Sequence, residues 1–300
     1  MARHLVREFE ETGHVVDAPA RRELDVVDSQ AVARHMARRR PEVVVHLAAV
    51  SSSREASTDP ARTLRIAVAG TANVIEEAAA LRLAPAVLVV SSSEVYGQPD
   101  RRKLPIAESA RVRPVTSYAL AKLAQESVAV SIGHRRGVRV AVVRPFNHTG
   151  PGQRDEFVVP ALARRIVAVR VGRQSHIDVG NIDVRRDISD VRDVVRAYRL
   201  LVELLMDEGQ TETPLLVNVA SGRAVSIKAV VEMLCAMAGV NPQVNVVPGL
   251  VRADDPPEIR GDATLLRRLT GWTPSIPLET TLRDVLEEAL ALVEPAAATS

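Results

Sequence analysis

Glu42-Val43-Val44-Val45-His46-Leu47-Ala48 and Ala86-Val87-Leu88-Val89-Val90-Ser91 are the two stretches whose reading decides the fold. Each is a short apolar run without polar alternation, the pattern of a parallel strand buried on both faces. Between them, Asp59-Pro60 opens an alanine-rich segment. Aspartate accepts from the free N–H groups of a first helical turn and proline is preset for its first position, so a helix is predicted to about residue 83. Strand, helix, strand in that order is the crossover unit of a parallel sheet. Downstream the unit repeats, with a helix over residues 118–136 closed by Gly137 and a strand over 138–143. Upstream, residues 29–40 read as a helix stopped by Pro41, and 14–16 as a short strand. Residues 3–11 read as a helix, with Leu5, Val6 and Phe9 at helical spacing and Gly13 beyond it. Past Arg144 the rhythm breaks into loops at Pro145 and Gly150-Pro151-Gly152. Helices over 158–169, 188–206, 226–238 and 278–293 and a strand over 215–219 then suggest a smaller second α/β unit, with residues 294–300 a frayed tail. The predicted class is α/β, a doubly wound parallel sheet whose ligands bind beyond the carboxyl ends of the strands.

Composition narrows the function. The chain has 300 residues, 46% of them apolar, enough for a sizeable core, and a net charge of +2. Basic and acidic residues are interspersed and aromatics make up only 2%, which argues against nucleic acid as a partner. Arg38-Arg39-Arg40 sits where a helix ends and cations are favoured. No apolar run is long enough to cross a bilayer, and the start has no apolar signal core, so a cytoplasmic protein without a membrane partner is expected. The single cysteine, Cys235, fits a reducing compartment. No metal site is expected. Lysine occurs only at positions 103, 122 and 228, arginine serving everywhere else.

Three strand-end and helix motifs carry chemistry. In Tyr118-Ala119-Leu120-Ala121-Lys122 the phenol and the ammonium lie one helical turn apart on one face, where the charge would favour the ionised phenol. A helix with a surface lysine is the plainer alternative, but in so arginine-rich a chain the lysine asks for a reason. Ser91-Ser92-Ser93-Glu94-Val95-Tyr96-Gly97 follows a buried strand, so its hydroxyls lie where a substrate carbonyl could be held, although a serine-rich turn would read the same way. His46-Leu47-Ala48-Ala49 ends another strand, with small residues that permit close approach of a cofactor; a structural histidine is its alternative.

Together with Arg144-Pro145-Phe146-Asn147 these motifs resemble, in order, the extended short-chain dehydrogenases/reductases acting on nucleotide sugars, the NAD-dependent epimerase/dehydratase family. The resemblance runs from about Ala2 to Leu290 and implies a Rossmann-like sheet with a smaller C-terminal substrate domain. It divides the chain at residue 150, with 187–221 returning to the first part and 151–300 forming the second. Residues 144–153, 179–187 and 270–274 look most similar to the branch that reduces GDP-4-keto-6-deoxy-mannose. By that resemblance Tyr118 donates a proton, Lys122 lowers its pKa and holds the nicotinamide ribose, and Ser92 bonds the sugar ketone, the product being GDP-D-rhamnose. Glu94 belongs to the catalytic set; in related dehydratases the carboxylate at this place abstracts a proton. Ser93, Asn147, Arg186, Arg252 and Asp255 are the implied substrate contacts, and Asp25, Val26, Leu47, Ala48 and Ala49 line the cofactor with Tyr118 and Lys122. A GDP-sugar is the implied substrate, and pairing of two copies through helices 63–83 and 118–136 is implied as well.

Two departures from the family pattern shape the expectation. No glycine-rich turn precedes the first helix, so the family's first strand and phosphate loop are expected to be absent, through a start lying upstream or in a shortened relative. Ala67 stands where an asparagine is usual. The cofactor is NADP(H) or NAD(H): Asp17 would favour a free ribose, Arg21 and Arg22 a 2′-phosphate, and reductive sugar biosynthesis leans toward NADPH. The competing activities are a GDP-mannose 4,6-dehydratase, a sugar epimerase, or a non-catalytic nucleotide-sugar binder.

Overall fold

The computed structural model describes residues 1–207, 214–251 and 255–293. Its centre is a four-stranded parallel sheet of β1 (Val43–His46), β2 (Ala86–Val90), β3 (Val140–Pro145) and β7 (Leu215–Val219), hydrogen-bonded in that order. Successive side chains alternate between its faces. Val87, Val89, Val140 and Val142 pack with α2 (Ser29–Arg39), α4 (Pro60–Ala79) and α5 (Ser117–Arg136). Leu88 and Val143 face the other way, onto α1 (Ala2–Glu11), α7 (Val191–Met206) and α9 (Thr264–Thr270). Helices therefore cover both faces of an all-parallel sheet, the doubly wound α/β arrangement expected.

Local chemistry sets the helix ends. Asp59 caps α4 by accepting from the Arg62 N–H at 2.9 Å, with Pro60 in the first turn. Thr116 caps α5 through the Ala119 N–H at 3.0 Å, and Gly137 closes it in the left-handed region. A short helix α3 (Ser53–Thr58), capped by Ser52, precedes α4 and was not foreseen. Gly70 on α4 lets the 25–27 turn dock: a β-carbon there would lie 2.7 Å from Val26 Cγ2, and Asn73 Nδ2 donates to the carbonyls of Val26 and Val27.

The second half has its own core, built from α6 (Val158–Arg170), α8 (Ile227–Ala238) and α10 (Leu278–Ala291) with β5 (His176–Val179) and β6 (Arg185–Asp190). β6 lies between β4 (Asn147–Thr149) and β10 (Glu258–Ile259) and pairs antiparallel with β8 (Ala224–Ser226); β5 pairs with β9 (Gln243–Val246). The carboxylate of Asp187, fully buried, accepts from Ser221 N, Ser221 Oγ, Gly222 N and Gly261 N at 2.6–3.1 Å. One side chain thereby ties the loop after β7 to the second half. Among the described residues no helix is long and apolar enough to cross a membrane.

Two sequence expectations fail. Residues 14–16 are not a strand: His14 N donates to Phe9 O at 3.0 Å, its ring packs edge-on against Phe9, and Val15 is wholly exposed. The segment finishes the cap of α1, which satisfies its first N–H without a ladder. The helix expected over 188–206 begins only at Val191, because Ile188–Asp190 end β6 and Asp190 turns its carboxylate to the Arg192 N–H at 2.7 Å. The tail over 294–300 lies outside the described residues.

Candidate active site

The carboxyl ends of β1 and β2 and the first turns of α4 and α5 converge on one cleft, lined by Ala49, Val50, Thr63, Ala67, Tyr118, Ala121 and Lys122. Strand-to-helix crossovers put these ends on the same side of a parallel sheet, which is why residues up to 73 positions apart meet here. Tyr118 is half-buried and Lys122 buried, with the ammonium 6.0 Å from the phenol ring centroid. Ser92, just past the end of β2, lies beside the Tyr118 hydroxyl, and its own hydroxyl accepts from the Glu94 N–H at 3.2 Å. Beyond it, Gly97 has φ of +65°, and a β-carbon there would lie 2.0 Å from the Arg113 carbonyl oxygen, so only glycine fits the turn that follows the serines.

The phenol is not made acidic by the lysine, and that expectation is corrected. Burial raises the Tyr118 pKa well above its ordinary value, the Glu94 carboxylate raises it further, and the nearby Ser92 hydroxyl only partly opposes them. Lys122 spends its charge elsewhere: Nζ donates to Val90 O at 2.7 Å and to Gln125 Oε1 at 3.0 Å. Burial lowers its pKa from 10.5 to about 8, with the Glu126 carboxylate opposing the shift. Tyr118 is thus a phenol that keeps its proton, beside an ammonium that gives its own up unusually easily.

Other predicted residues fall in three places. Glu94 lies beside Tyr118, and Ser53 Oγ donates to its Oε2 at 2.7 Å; Ser93 is buried next to it. His46 is buried at the end of β1, with Nε2 3.1 Å from Thr71 Oγ1, and burial, with the nearby Lys122 charge, holds its pKa down at about 3. It is a neutral, structural imidazole. Asp25 caps its own turn through the Val27 N–H at 3.0 Å, and Val27 shares an apolar cluster with Val50 and Tyr118, so the 25–27 turn and the 47–49 strand end border the same cleft. Away from it, Asn147 is exposed at the start of β4. Arg186 and Asp255 form an ion pair with each other, and Arg186 Nη1 also donates to Pro256 O at 2.9 Å. Arg252 lies outside the described residues. A roomier groove between Pro105, Ser221, Gly222, Arg267 and Trp272 holds none of the predicted site residues.

Sequence reasoning missed Gln125, Thr71 and Ser53. Gln125 follows Lys122 by three residues and so shares its helix face, a signal that was available. Thr71 and Ser53 come from other elements, and no spacing announces them.

The residues present fit one end of a dinucleotide. Ala49, Ala67 and Ala121 bring only small side chains to the cleft beside the buried ammonium, the group that would meet a nicotinamide ribose. The described residues supply no glycine-rich turn for the pyrophosphate. At the other end, the Asp17 carboxylate is engaged by His35 and Arg39, each at 2.8 Å, while Arg21 and Arg22 are exposed.

A doubly wound sheet with a tyrosine, a lysine and a serine hydroxyl gathered at its carboxyl edge defines a nucleotide-binding enzyme class. The chain belongs to the GDP-mannose 4,6 dehydratase family, which it matches over residues 6–285. It is 39% identical over 249 residues to the GDP-6-deoxy-D-mannose reductase of Pseudomonas aeruginosa, spanning 83% of this chain and 80% of that one. It is 28% identical over 286 residues to the GDP-6-deoxy-D-talose 4-dehydrogenase of Aggregatibacter actinomycetemcomitans, spanning 94% and 88% of the two. The solved structure of RMD from Pseudomonas aeruginosa complexed with NADPH superposes with a TM-score of 0.87 at 34% identity, over 97% of this chain and 95% of that one.

Proposed function

We propose that this protein reduces the C4 ketone of GDP-4-keto-6-deoxy-D-mannose with NAD(P)H, giving GDP-D-rhamnose. The observation that carries the reading is the Tyr118 phenol, kept protonated by burial and set with Ser92 beside the buried Lys122 ammonium at the mouth of the cleft. A ketone that takes hydride at carbon develops alkoxide charge on oxygen. A protonated phenol and a serine hydroxyl aimed at that oxygen stabilise the charge and supply the proton. When bound, the reduced nicotinamide provides the hydride. Tyr118 gives its proton to the oxygen and regains one from solvent, while Lys122 holds the nicotinamide ribose. Asp25, Val26, Leu47, Ala48 and Ala49 form the rest of the cofactor wall, and NADPH is preferred because Asp17 is already engaged while Arg21 and Arg22 are exposed.

In this reading residues 1–150 with 187–221 form the nucleotide-binding part and 151–300 the sugar-binding part, although Ala263, Leu266 and Trp272 pack in the apolar cluster of the first. Ser93 and Asn147 contact the sugar, and Arg186 the diphosphate, with Asp255 as the counter-charge that orients it. Two copies pair through α4 and α5, whose outer faces expose Val68 and Leu120; light scattering that finds only monomer would reject the pairing.

The test is turnover. GDP-4-keto-6-deoxy-mannose with NADPH should be consumed, and Tyr118→Phe should lower kcat roughly 10²–10⁴-fold with folding unchanged. Equal rates for the two proteins would overturn the reading. Glu94, placed beside Tyr118 and bonded by Ser53, favours a second reading, a 4,6-dehydratase or epimerase in which it serves as base. Loss of water from GDP-mannose with NADP⁺ would select it.

A further inference from the structure

Lys122 is buried against neutral partners whose hydrogen bonds run in one direction. Two of its three N–H donors are committed, to Val90 O from β2 and to Gln125 Oε1 from its own helix. Gln125 is fully buried, and since its oxygen faces the ammonium, its NH2 faces Thr71, donating to Oγ1 at 3.1 Å. Having accepted that bond, the Thr71 hydroxyl has its own hydrogen for His46 Nε2, 3.1 Å away. His46 can accept it because burial keeps the imidazole neutral. The order Lys122, Gln125, Thr71, His46 therefore has one consistent set of donors and acceptors, spanning α5, α4 and β1.

Only one donor of Lys122 is left over. In the cleft, Ala49, Ala67 and Ala121 bring no polar side-chain atom, and the Thr63 hydroxyl has given its hydrogen to Asp59 O at 2.9 Å, so it can only accept. Among the described residues that line the cleft, Tyr118 and Lys122 are thus the side chains with a hydrogen left to donate. Whatever fixes the ammonium decides where its third N–H points.

We propose that Gln125 is a positioning residue for Lys122: its side-chain amide, anchored by Thr71 and through it by His46, directs the remaining N–H of the ammonium into the cleft. The proposal rests on the reductive reading for its catalytic meaning, though not for its test. The groups facing Lys122 are Tyr118 and Glu126 from α5, His46 from β1 and the Val90 carbonyl from β2, with Glu94 beyond Tyr118. Glu126 is itself held by Arg144, so Gln125 is the side chain that accepts directly from the ammonium, beside the Val90 main-chain carbonyl.

The scarcity of lysine makes the test direct. Protein labelled with 13C at lysine Cε has three signals, from Lys103, Lys122 and Lys228, and the one lost in Lys122→Met is assigned. Its titration is followed without cofactor or substrate. In Gln125→Leu the midpoint should fall by roughly half a pH unit or more, and in the isosteric Gln125→Glu it should rise by about one unit. Thr71→Val, which leaves the amide in place but unanchored, should shift it in the same direction as Gln125→Leu and by less. In the assay, Gln125→Leu should raise KM for NADPH about tenfold with a smaller change in kcat, the loss of one oriented bond. Midpoints equal to wild type in both Gln125 variants would overturn the proposal. Shifted midpoints in a protein that does not turn over the GDP-sugar would uphold the positioning and sink the reductive reading instead.

Discussion

Gln125 and Glu126 are neighbours on α5, yet they look into two different buried polar assemblies. On one side Lys122 meets an amide, a hydroxyl, a carbonyl and a neutral imidazole. On the other, Glu126 takes a two-pronged bond from Arg144, Nε at 2.8 Å and Nη2 at 2.6 Å, and a further bond from Ser91 Oγ. Burial works against the Arg144 charge, but Glu126 outweighs it and holds the guanidinium above its ordinary pKa. Nothing of opposite charge touches Lys122, so burial prevails and its pKa falls to about 8. The difference teaches how one helix separates structure from chemistry. A buried cation with a bidentate carboxylate is locked in its charged form and ties α5 to β3, whereas a buried cation among neutral dipoles stays titratable.

Breaking the ionic side should cost most. Glu126→Ala strands a buried guanidinium and should lower stability by about 3–5 kcal/mol in urea unfolding. Ser91→Ala, which removes one donor from the same carboxylate, should cost only about 1.5 kcal/mol. A larger loss in the serine variant than in the glutamate variant would mean that the pair is not what holds these elements together.

The neutral side predicts a pH signature of intermediate size. Folded Lys122 titrates at about 8 and the unfolded residue at 10.5, so between those values the unfolded chain binds the extra proton. Stability should therefore rise from pH 8 to 10.5, by on the order of 2 kcal/mol. If Lys122 holds the ribose as proposed, activity should fall over the same range, because the ammonium is lost. Lys122→Met should remove this rise in stability; a rise that persists in the variant would assign it to another group.

The site was legible in part, and the reason is geometric. Tyr118 and Lys122 sit on one helix face, so a spacing of four places them together before any tertiary contact is known. Ser92 and Glu94 follow a buried strand, and the carboxyl edge of a parallel sheet is where such residues gather. What could not be read was how each group is tuned. The expected acidification of Tyr118 followed from spacing alone, and it failed because the Lys122 side chain turns toward the Val90 carbonyl and Gln125. Ser53, 41 residues from Glu94, and Thr71, 54 residues from Gln125, become neighbours only when the sheet brings their elements side by side. Arg186 and Asp255 were read as separate substrate contacts and prove to be each other's partner, 69 residues apart.

From its sequence alone the protein was determined to alternate strand and helix, to bury its sheet on both faces, and to carry a phenol and an ammonium one turn apart. Those are local properties, written in apolar runs, caps and helical spacing. Only the tertiary structure decided that the phenol keeps its proton, that the ammonium is loosely held, and which neutral groups orient it. Charge states depend on burial and on partners brought from distant parts of the chain, and no local pattern encodes either.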